Sequence, residues 1–290
     1  MSLTVDTIRT EFKKNDDIRD AGLATPDDIV RFDDIPYGAL PQWQSLDVYR
    51  PTSGIGRELP VIVSVHGGGW VYGDKERYQF YCMSLAQRGF AVVNFTYRLA
   101  PEFKFPAQLE DTNAVFQWVL DNAAEYGFDT VHIFAVGDSA GAHLLSLYSC
   151  FCVDPEYAAT YDFRPPKGFC PTAIALNCGV YAIAMDGSRD GLMAALLPGG
   201  GTEAECAHIS PMNHIGAGFP PTFVMTATGD FLKPNAAPLA ERLLSLDIPF
   251  VYRLYGTAEN RLGHVFHCDM RLDDARLCND EECGFFRSFL

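Results

Sequence analysis

The stretch Gly137-Asp138-Ser139-Ala140-Gly141 restricts the fold of this chain more than any other. The apolar run from Val131 to Val136 before it is rich in β-branched and aromatic residues, which is typical of a buried strand. A helical pattern begins at Gly141. A strand that turns into a helix this sharply places Ser139 at the corner, with its side chain above the sheet edge. Side chains at positions 137 and 141 would collide with the strand and the helix, so glycine is needed at both.

Partners elsewhere in the chain decide whether this motif is functional. With 25 glycines in 290 residues, the Gly-x-Ser-x-Gly pattern arises by chance in roughly one chain in ten. A serine hydroxyl is a weak nucleophile at neutral pH and needs a base within hydrogen-bond reach, which an acid must hold. In sites of this kind the acid and then the histidine follow the serine along the chain.

His264 is the candidate base. It lies in the polar loop 259–264, between the last predicted strand and the last predicted helix, where the base is expected. His267 is the alternative, but the context Gly-His-Val-Phe favours His264.

Asp230 is the candidate acid. It follows the strand predicted over 222–227, one strand before His264. An aspartate after a glycine is more often a turn former or a helix cap. Its place along the chain relative to His264, and not its local context, therefore makes it the expected acid.

Backbone amides must stabilise the oxyanion that forms when a carbonyl is attacked. One amide is expected from Ala140, at the start of a helix whose first N–H groups have no intrahelical acceptor. The glycines at 67–69 follow a buried strand and allow a close backbone approach. They could instead form a flexible turn, but the flanking His66 and Trp70 favour an oxyanion loop. We expect His66 to orient this loop and His143 to serve packing or capping.

Strands alternate with helices along the chain, which predicts an α/β fold with a mostly parallel sheet and helices on both faces. The helical arm over 5–14 precedes an acidic, turn-rich segment over 16–34. Short helices are expected over 181–220, as part of a cap above the strand ends. The chain is predicted to form a single domain, 1–290. Strands are predicted over 45–50, 60–66, 90–97, 131–136, 173–178, 222–227 and 250–255.

Composition excludes several classes of partner. The net charge of −15 argues against nucleic acid and against anionic membranes, whose phosphates it would repel. No apolar run is long enough to span a membrane, and residues 1–20 lack the apolar core of a signal peptide, which predicts a cytoplasmic protein.

The nine cysteines are odd in number and scattered. We expect them to be reduced core residues and predict no structural metal.

Four motifs in this order resemble the hormone-sensitive-lipase-like branch of the α/β-hydrolases, which includes bacterial acetyl esterases and carboxylesterases. They are His66-Gly67-Gly68-Gly69-Trp70, Tyr97-Arg98-Leu99-Ala100-Pro101-Glu102, the Ser139 motif, and Gly229-Asp230 with Gly263-His264-Val265-Phe266. The resemblance covers about residues 60–290.

This resemblance implies an α/β-hydrolase fold with a small cap, to which residues of about 1–40 and 180–215 contribute. It implies Ser139 as the nucleophile and Asp230 and His264 as its partners. It also implies an oxyanion hole formed by the amides of Gly68, Gly69 and Ala140. One departure is the segment Phe231-Leu232-Lys233-Pro234 after the acid, where family members often carry more charge.

These observations predict a cofactor-free serine carboxylesterase that hydrolyses a small-molecule ester. Trp70 and Tyr72 are expected to line the substrate pocket and to make it narrow, which favours short acyl groups. The alternative on the same fold is an arylformamidase or other small-amide hydrolase. From another class, a non-catalytic binding protein would be expected to lack a member of the triad. Assembly into a homodimer stays open.

Overall fold

The computed structural model describes residues 4–185 and 191–290, and eight strands in this part of the chain form one sheet. The strand order is β1-β2-β4-β3-β5-β6-β7-β8. The pairs β1–β2 and β2–β4 are antiparallel, and the other pairs are parallel. This confirms the predicted mostly parallel sheet. The strands are β1 Ile29–Pro36, β2 Ser45–Pro51, β3 Leu59–Val65, β4 Ala91–Phe95, β5 Phe128–Asp138, β6 Ile174–Asn177, β7 Thr222–Ala227 and β8 Phe250–Tyr255.

Helices cover both faces of this sheet. The α-helices of the described residues are α1 Val5–Asp20, α2 Lys75–Gln87, α3 Ala107–Asp121, α4 Ala123–Tyr126, α5 Ala140–Val153, α6 Pro155–Ala158, α7 Leu192–Leu196, α8 Glu203–His208, α9 Ala236–Ser245 and α10 Asp273–Arg287. Side chains of α2 and α10 belong to one buried cluster, and those of α3, α5 and α9 belong to the other. Successive residues of β3 alternate between these two clusters. Ile62 lies in the cluster with α2 and α10, and Val61 and Val63 lie in the cluster with α3, α5 and α9. Period-two alternation therefore gives this central strand a core on each face.

The N-terminal region differs from its prediction. Helix α1 extends to Asp20, because ion pairs one turn apart, Lys13–Asp17 and Asp16–Arg19, continue it beyond residue 14. Strand β1 begins within the segment 16–34, which was predicted to be turn-rich, and continues to Pro36. It is an edge strand that is mostly exposed, so it carries the acidic side chains that edge strands tolerate and lacks an apolar alternation.

Helix α1 is fastened to the rest of the molecule by Arg9. Its guanidinium donates to both carboxylate oxygens of Glu102, at 2.8 and 2.6 Å, and to the carbonyl oxygens of Val71 and Ala100. These contacts place the arm beside the loop that follows β3. The last residue of the Tyr97–Glu102 motif therefore holds the arm, while Tyr97 donates to the His66 carbonyl oxygen at 3.0 Å.

The segment between β6 and β7 contains short helices, as predicted. Helix α8 begins with a capping box in which Thr202 and Glu205 satisfy each other's backbone N–H groups. Residues 1–3 and 186–190, which fall within the predicted cap segments, lie outside the described residues. In the described part of the chain, no helix combines the length and the apolar character needed to cross a membrane.

Glu282 is a fully buried acid that connects α10 to α2 and to the last residue of β6. Its carboxylate accepts hydrogen bonds from the Tyr81 hydroxyl at 2.9 Å and from the Asn177 amide at 2.6 Å. Burial raises the pKa of this carboxyl from 4.5 to about 7, although both hydrogen bonds lower it. A proton is thus held more tightly in the folded state than in the unfolded state. The stabilising effect is fully present below pH 4.5 and is lost as the pH rises through 7.

Replacing Glu282 with Gln is therefore expected to raise the free energy of unfolding at pH 8 by about 2 kcal/mol, and to change it little near pH 4.5. The amide oxygen can accept from the Asn177 amide while the amide NH2 donates to the Tyr81 hydroxyl oxygen, so both contacts are kept without a buried charge. Urea denaturation at the two pH values measures the difference. The neighbouring Glu281 is the control, because hydrogen bonds from Tyr255 and Arg253 outweigh burial and lower its pKa. Glu281→Gln should not stabilise at pH 8, and the absence of stabilisation in Glu282→Gln would contradict the prediction.

Candidate active site

Ser139 lies at the corner between β5 and α5. Its φ of 51° and ψ of −115° belong to a backbone conformation that residues other than glycine rarely adopt. The Ser139 N–H donates to the Asn177 carbonyl oxygen at 2.9 Å, which ties the corner to β6. A Cβ on Gly137 would lie 2.6 Å from the Gly141 carbonyl oxygen, and one on Gly141 would lie 2.0 Å from that of Val65. Because backbone atoms cannot yield by this much, both positions require glycine.

His264 and Asp230 form a hydrogen-bonded pair. The distance from Nδ1 of His264 to Oδ1 of Asp230 is 2.7 Å. A carboxylate only accepts, so Nδ1 carries a proton and Nε2 is the ring nitrogen that remains for proton transfer. Asp230 also accepts from the Thr226 hydroxyl at 2.8 Å and from the Leu232 N–H at 2.9 Å. Burial opposes its ionisation, but the hydrogen bonds from His264, Leu232 and Thr226 outweigh burial and lower the pKa of Asp230. The acid is therefore charged at neutral pH.

His267, the alternative base, has a different environment. It is fully buried, with its ring edge-to-face on Tyr81 at a centroid distance of 5.0 Å. Burial lowers its pKa to about 3. His264, by contrast, lines the cavity that contains Ser139. The structure thus places His264 in the wall of the cavity that contains Ser139, and His267 in the buried core.

The loop after β3 contains the predicted oxyanion glycines. Gly68 and Gly69 have φ values of 109° and 61°. Ala140 is the first residue of α5, so its N–H has no intrahelical acceptor. All three line the same cavity as Ser139. The structure therefore collects the predicted oxyanion residues around the serine.

Tyr78 connects this loop to the serine corner, and sequence reasoning did not find it. The Gly67 N–H donates to the Tyr78 hydroxyl at 3.0 Å, and that hydroxyl donates to Asp138 Oδ2 at 2.8 Å. Asp138 is fully buried, and burial raises its pKa to about 6 although the Tyr78 hydrogen bond lowers it. The sequence indicated only that Asp138 needs a polar partner, because a charged residue at a buried corner must be paired or hydrogen-bonded.

Two histidines support the loop without facing the serine. Nδ1 of His66 lies 2.7 Å from the Gly67 carbonyl oxygen, and its ring stacks on Tyr97 with a centroid distance of 3.9 Å. Trp70 Nε1 donates to Nδ1 of His143 at 3.2 Å, and Nε2 of His143 lies 2.7 Å from the Ile209 carbonyl oxygen. Burial lowers the pKa of each histidine to about 4. Both rings are therefore neutral. His66 contacts the loop that it is expected to orient, and His143 packs against Trp70, in line with the packing role expected of it.

A large, mainly apolar cavity opens above Ser139. Trp70 and Tyr72 line it as predicted. Its volume is about 1020 Å³, at the upper end of the usual range for ligand sites, so the expected narrow pocket is wrong. The Tyr72 hydroxyl donates to Asp16 of α1, another residue of the cavity wall, at 2.8 Å. The walls come from α1, from the loop after β3, from residues 180–184 and 191–193, and from the loops after β7 and β8.

Within the described residues, one group of side chains offers metal-ligand atoms at close range. Sγ of Cys178, a carboxylate oxygen of Asp230 and a ring nitrogen of His264 lie within 4.8 Å of one another. Burial and the neighbouring Asp230 raise the pKa of the Cys178 thiol, so it is a neutral thiol and not the thiolate that metals bind. The group includes the hydrogen-bonded pair of His264 and Asp230. That hydrogen bond accounts for the short distances between these residues without a metal ion.

Comparison with known proteins identifies the family. The BD-FAE family model matches residues 46–238, about two thirds of the chain. The chain belongs to the BD-FAE family. Esterase LipQ of Mycobacterium tuberculosis is 30% identical over 217 residues, 70% of this chain and 50% of LipQ. Carboxylesterase NlhH of the same organism is 32% identical over 205 residues, 66% of this chain and 62% of NlhH. The chain thus spans less than two thirds of these relatives.

Solved structures extend the likeness of this BD-FAE family member to the whole chain. Esterase B from Lactobacillus rhamnosis, in a C6-C4 SN3 inhibited form, superposes with a TM-score of 0.89 at 26% identity. The superposition covers 98% of this chain and 95% of that protein. The metagenomic carboxylesterase EstE1 shares the fold, with a TM-score of 0.78 at 23% identity and coverage of 100% and 99%. These findings confirm an α/β-hydrolase fold of the hormone-sensitive-lipase-like branch.

Proposed function

We propose that this protein is a serine carboxylesterase that acts through an acyl-enzyme intermediate. The observation that carries the proposal is one cavity lined by Ser139, by His264 with Asp230 behind it, and by the Gly68-Gly69 loop. These are the nucleophile, the base with its orienting acid, and the amide donors that acyl transfer needs. The names of the relatives, esterase and carboxylesterase, support this reaction class.

In the proposed mechanism, each step uses residues that line this cavity. Nε2 of His264 takes the proton from Ser139 as the hydroxyl oxygen attacks the ester carbonyl. The amides of Gly68, Gly69 and Ala140 stabilise the resulting oxyanion. His264 then donates its proton to the leaving alcohol, which leaves an acyl-serine. Water, deprotonated by His264, attacks this acyl group, and the acid and the free serine are released.

A short acyl group is the proposed substrate preference. A C4-C4 SN3 tributyrin phosphonate is the ligand of one Esterase B structure, which superposes with a TM-score of 0.89 at 26% identity. The volume of the cavity does not itself impose this preference, so chain length has to be measured. Helix α1 and residues 180–184 and 191–193 would act as the cap, since they line the cavity.

A panel of substrates tests the function. We expect turnover of p-nitrophenyl acetate and butyrate, with N-formylkynurenine turned over poorly. A preference for N-formylkynurenine would instead identify an arylformamidase. Hydrolysis of none of the esters, nor of an acetylated sugar, would overturn the proposal and favour a non-catalytic binding protein.

Cellular context and partners are further proposals. All nine cysteines lie within the described residues and outside any disulfide, seven of them buried, which is compatible with a reducing compartment such as the cytoplasm. A net charge of −15 makes nucleic acid an unfavourable partner. We propose a small-molecule ester as the partner of the site, and no cofactor. A homodimer would be detected by light scattering.

Replacing Asp230 with Asn is expected to lower kcat by about 10⁴-fold. The amide can donate to Nδ1 of His264, which would hold the proton on Nε2, where it prevents attack by Ser139. Steady-state kinetics on the best ester measure this loss. Thr226→Val is the matched control, because it removes another hydrogen bond to the same carboxylate at 2.8 Å without changing the His264 tautomer. A loss below tenfold in Asp230→Asn would mean that another group is the acid.

A further inference from the structure

Phe231 is an exposed aromatic residue beside the candidate base. It follows Asp230 directly, and 69% of its surface is exposed. Its ring centroid lies 4.4 Å from that of His264, at an interplanar angle of 49°. It also lines the cavity above Ser139. It stands in the segment where the sequence departs from the more charged pattern of its family, so its apolar character at this position calls for a physical explanation.

The chemistry of His264 indicates which part of a substrate would meet this ring. Asp230 holds Nδ1 at 2.7 Å, so Nε2 is the atom that protonates the leaving oxygen. That oxygen must come within about 3 Å of Nε2. The alcohol group bonded to the leaving oxygen then lies beside the imidazole of His264. It is within reach of the Phe231 ring, which packs against that imidazole. Phe231 is therefore adjacent to the alcohol part of the ester and not to the acyl part.

The rest of the cavity favours an uncharged, apolar alcohol. Phe12 of α1 also lines the cavity, is 36% exposed and packs edge-to-face on Tyr72 with a centroid distance of 5.8 Å. Among the described lining residues the cationic side chain is that of Arg19, and Asp16 at 2.9 Å and Asp20 at 2.7 Å already pair with it. An anionic leaving group would therefore find no unpaired positive charge among these residues, whereas an aromatic ring would find exposed aromatic surface.

We propose that Phe231 is a specificity-determining residue that binds the alcohol group, and that esters of aromatic alcohols such as benzyl esters are the preferred substrate class. This inference rests on the proposed esterase function. Ring-on-ring contact with an exposed phenylalanine gains free energy by removing both apolar surfaces from water and by favourable ring geometry. A small alcohol such as methanol makes no such contact.

Paired esters test this assignment. Benzyl acetate and methyl acetate share one acyl group and have leaving alcohols of similar acidity, so their kcat/KM values differ mainly through contacts of the alcohol. We expect Phe231→Ala to lower kcat/KM for benzyl acetate about five- to tenfold and to change that for methyl acetate less than twofold. Phe231→Tyr, which keeps the ring, should retain the preference for the benzyl ester. Leu244→Ala is the control, since Leu244 is 66% exposed on α9, outside the cavity.

Inhibition by benzyl alcohol supplies a readout that does not depend on the chemical step. Its inhibition constant should rise in Phe231→Ala by a factor similar to the loss in kcat/KM. An equal loss for both acetates would overturn the proposal, because Phe231 would then act on His264 and not on the alcohol. Unchanged kcat/KM values in Phe231→Ala would also overturn it. The same holds if the loss of kcat/KM differs between benzyl acetate and benzyl butyrate, because Phe231 would then contact the acyl chain. Turnover of the p-nitrophenyl esters without any preference for benzyl acetate over methyl acetate would overturn this inference alone, whereas no hydrolysis of either acetate or of any ester in the panel would mean that the esterase function itself fails.

Discussion

Replacing Ser139 with Ala lowers turnover by about a millionfold in the proposed mechanism, and leaves the protein folded. Without the hydroxyl no acyl-enzyme can form, and the oxyanion amides can assist only a direct attack by water. The corner retains its Ser139 backbone hydrogen bond to Asn177, because that contact uses the N–H group. The measurement is kcat on the best ester, with thermal unfolding of the same sample to establish that the fold is intact.

Ser146→Ala is the matched control for this variant. Ser146 is a buried serine in the helix that follows Ser139, and its hydroxyl donates to the Ala142 carbonyl oxygen at 2.7 Å. Losing this local hydrogen bond should cost little stability and leave kcat within about twofold. Residual activity above 1% in a folded Ser139→Ala protein would show that another group is the nucleophile.

His264→Ala is expected to reduce turnover by a similar factor, about a millionfold, because the serine then has no base and the alcohol no proton donor. The structure supports His264 by its 2.7 Å contact with Asp230 and by its place in the cavity wall. Steady-state kinetics of the purified variant, normalised to folded protein, measure the loss.

His267→Ala provides the comparison. This ring is fully buried against Tyr81, so its removal leaves a void and lowers the melting temperature. The folded fraction should keep its kcat within about tenfold, because the ring is not in the cavity wall. Full activity in His264→Ala together with an inactive but folded His267→Ala would reverse the assignment of the base.

Much of the fold followed from short-range patterns. The strands β3 and β7 and the second half of β5 are buried and mainly apolar, and the bounds of all three strands were predicted within a few residues. Strand β1 was not found, because an edge strand needs only one neighbour and its exposed face tolerates acids. Helix α1 was predicted too short, because its second half is stabilised by ion pairs and not by an apolar face.

The candidate site also has a part that could be predicted from the sequence and a part that could not. Ser139, Asp230 and His264 each stand at a predictable point, the end of a strand or the loop after it, so their chain order indicated a common location. Tyr78 carries no comparable signal, since it is one tyrosine within an amphipathic helix. Its contact with Asp138 spans 60 positions in the chain. The breadth of the cavity was also not predictable, because it depends on how α1 and residues 180–184 and 191–193 pack above the sheet.

The sequence by itself led to the proposed reaction class, because a strained serine corner, a glycine loop and an ordered acid and base are local requirements that particular residue types must meet. Only the tertiary structure placed His264 in the cavity wall and His267 in the core, set Phe231 against the imidazole, and revealed a large cavity where a narrow one was expected. The reason is physical. Backbone geometry depends on neighbours a few residues away, whereas the direction of a side chain and the space around it depend on packing between elements distant in the chain.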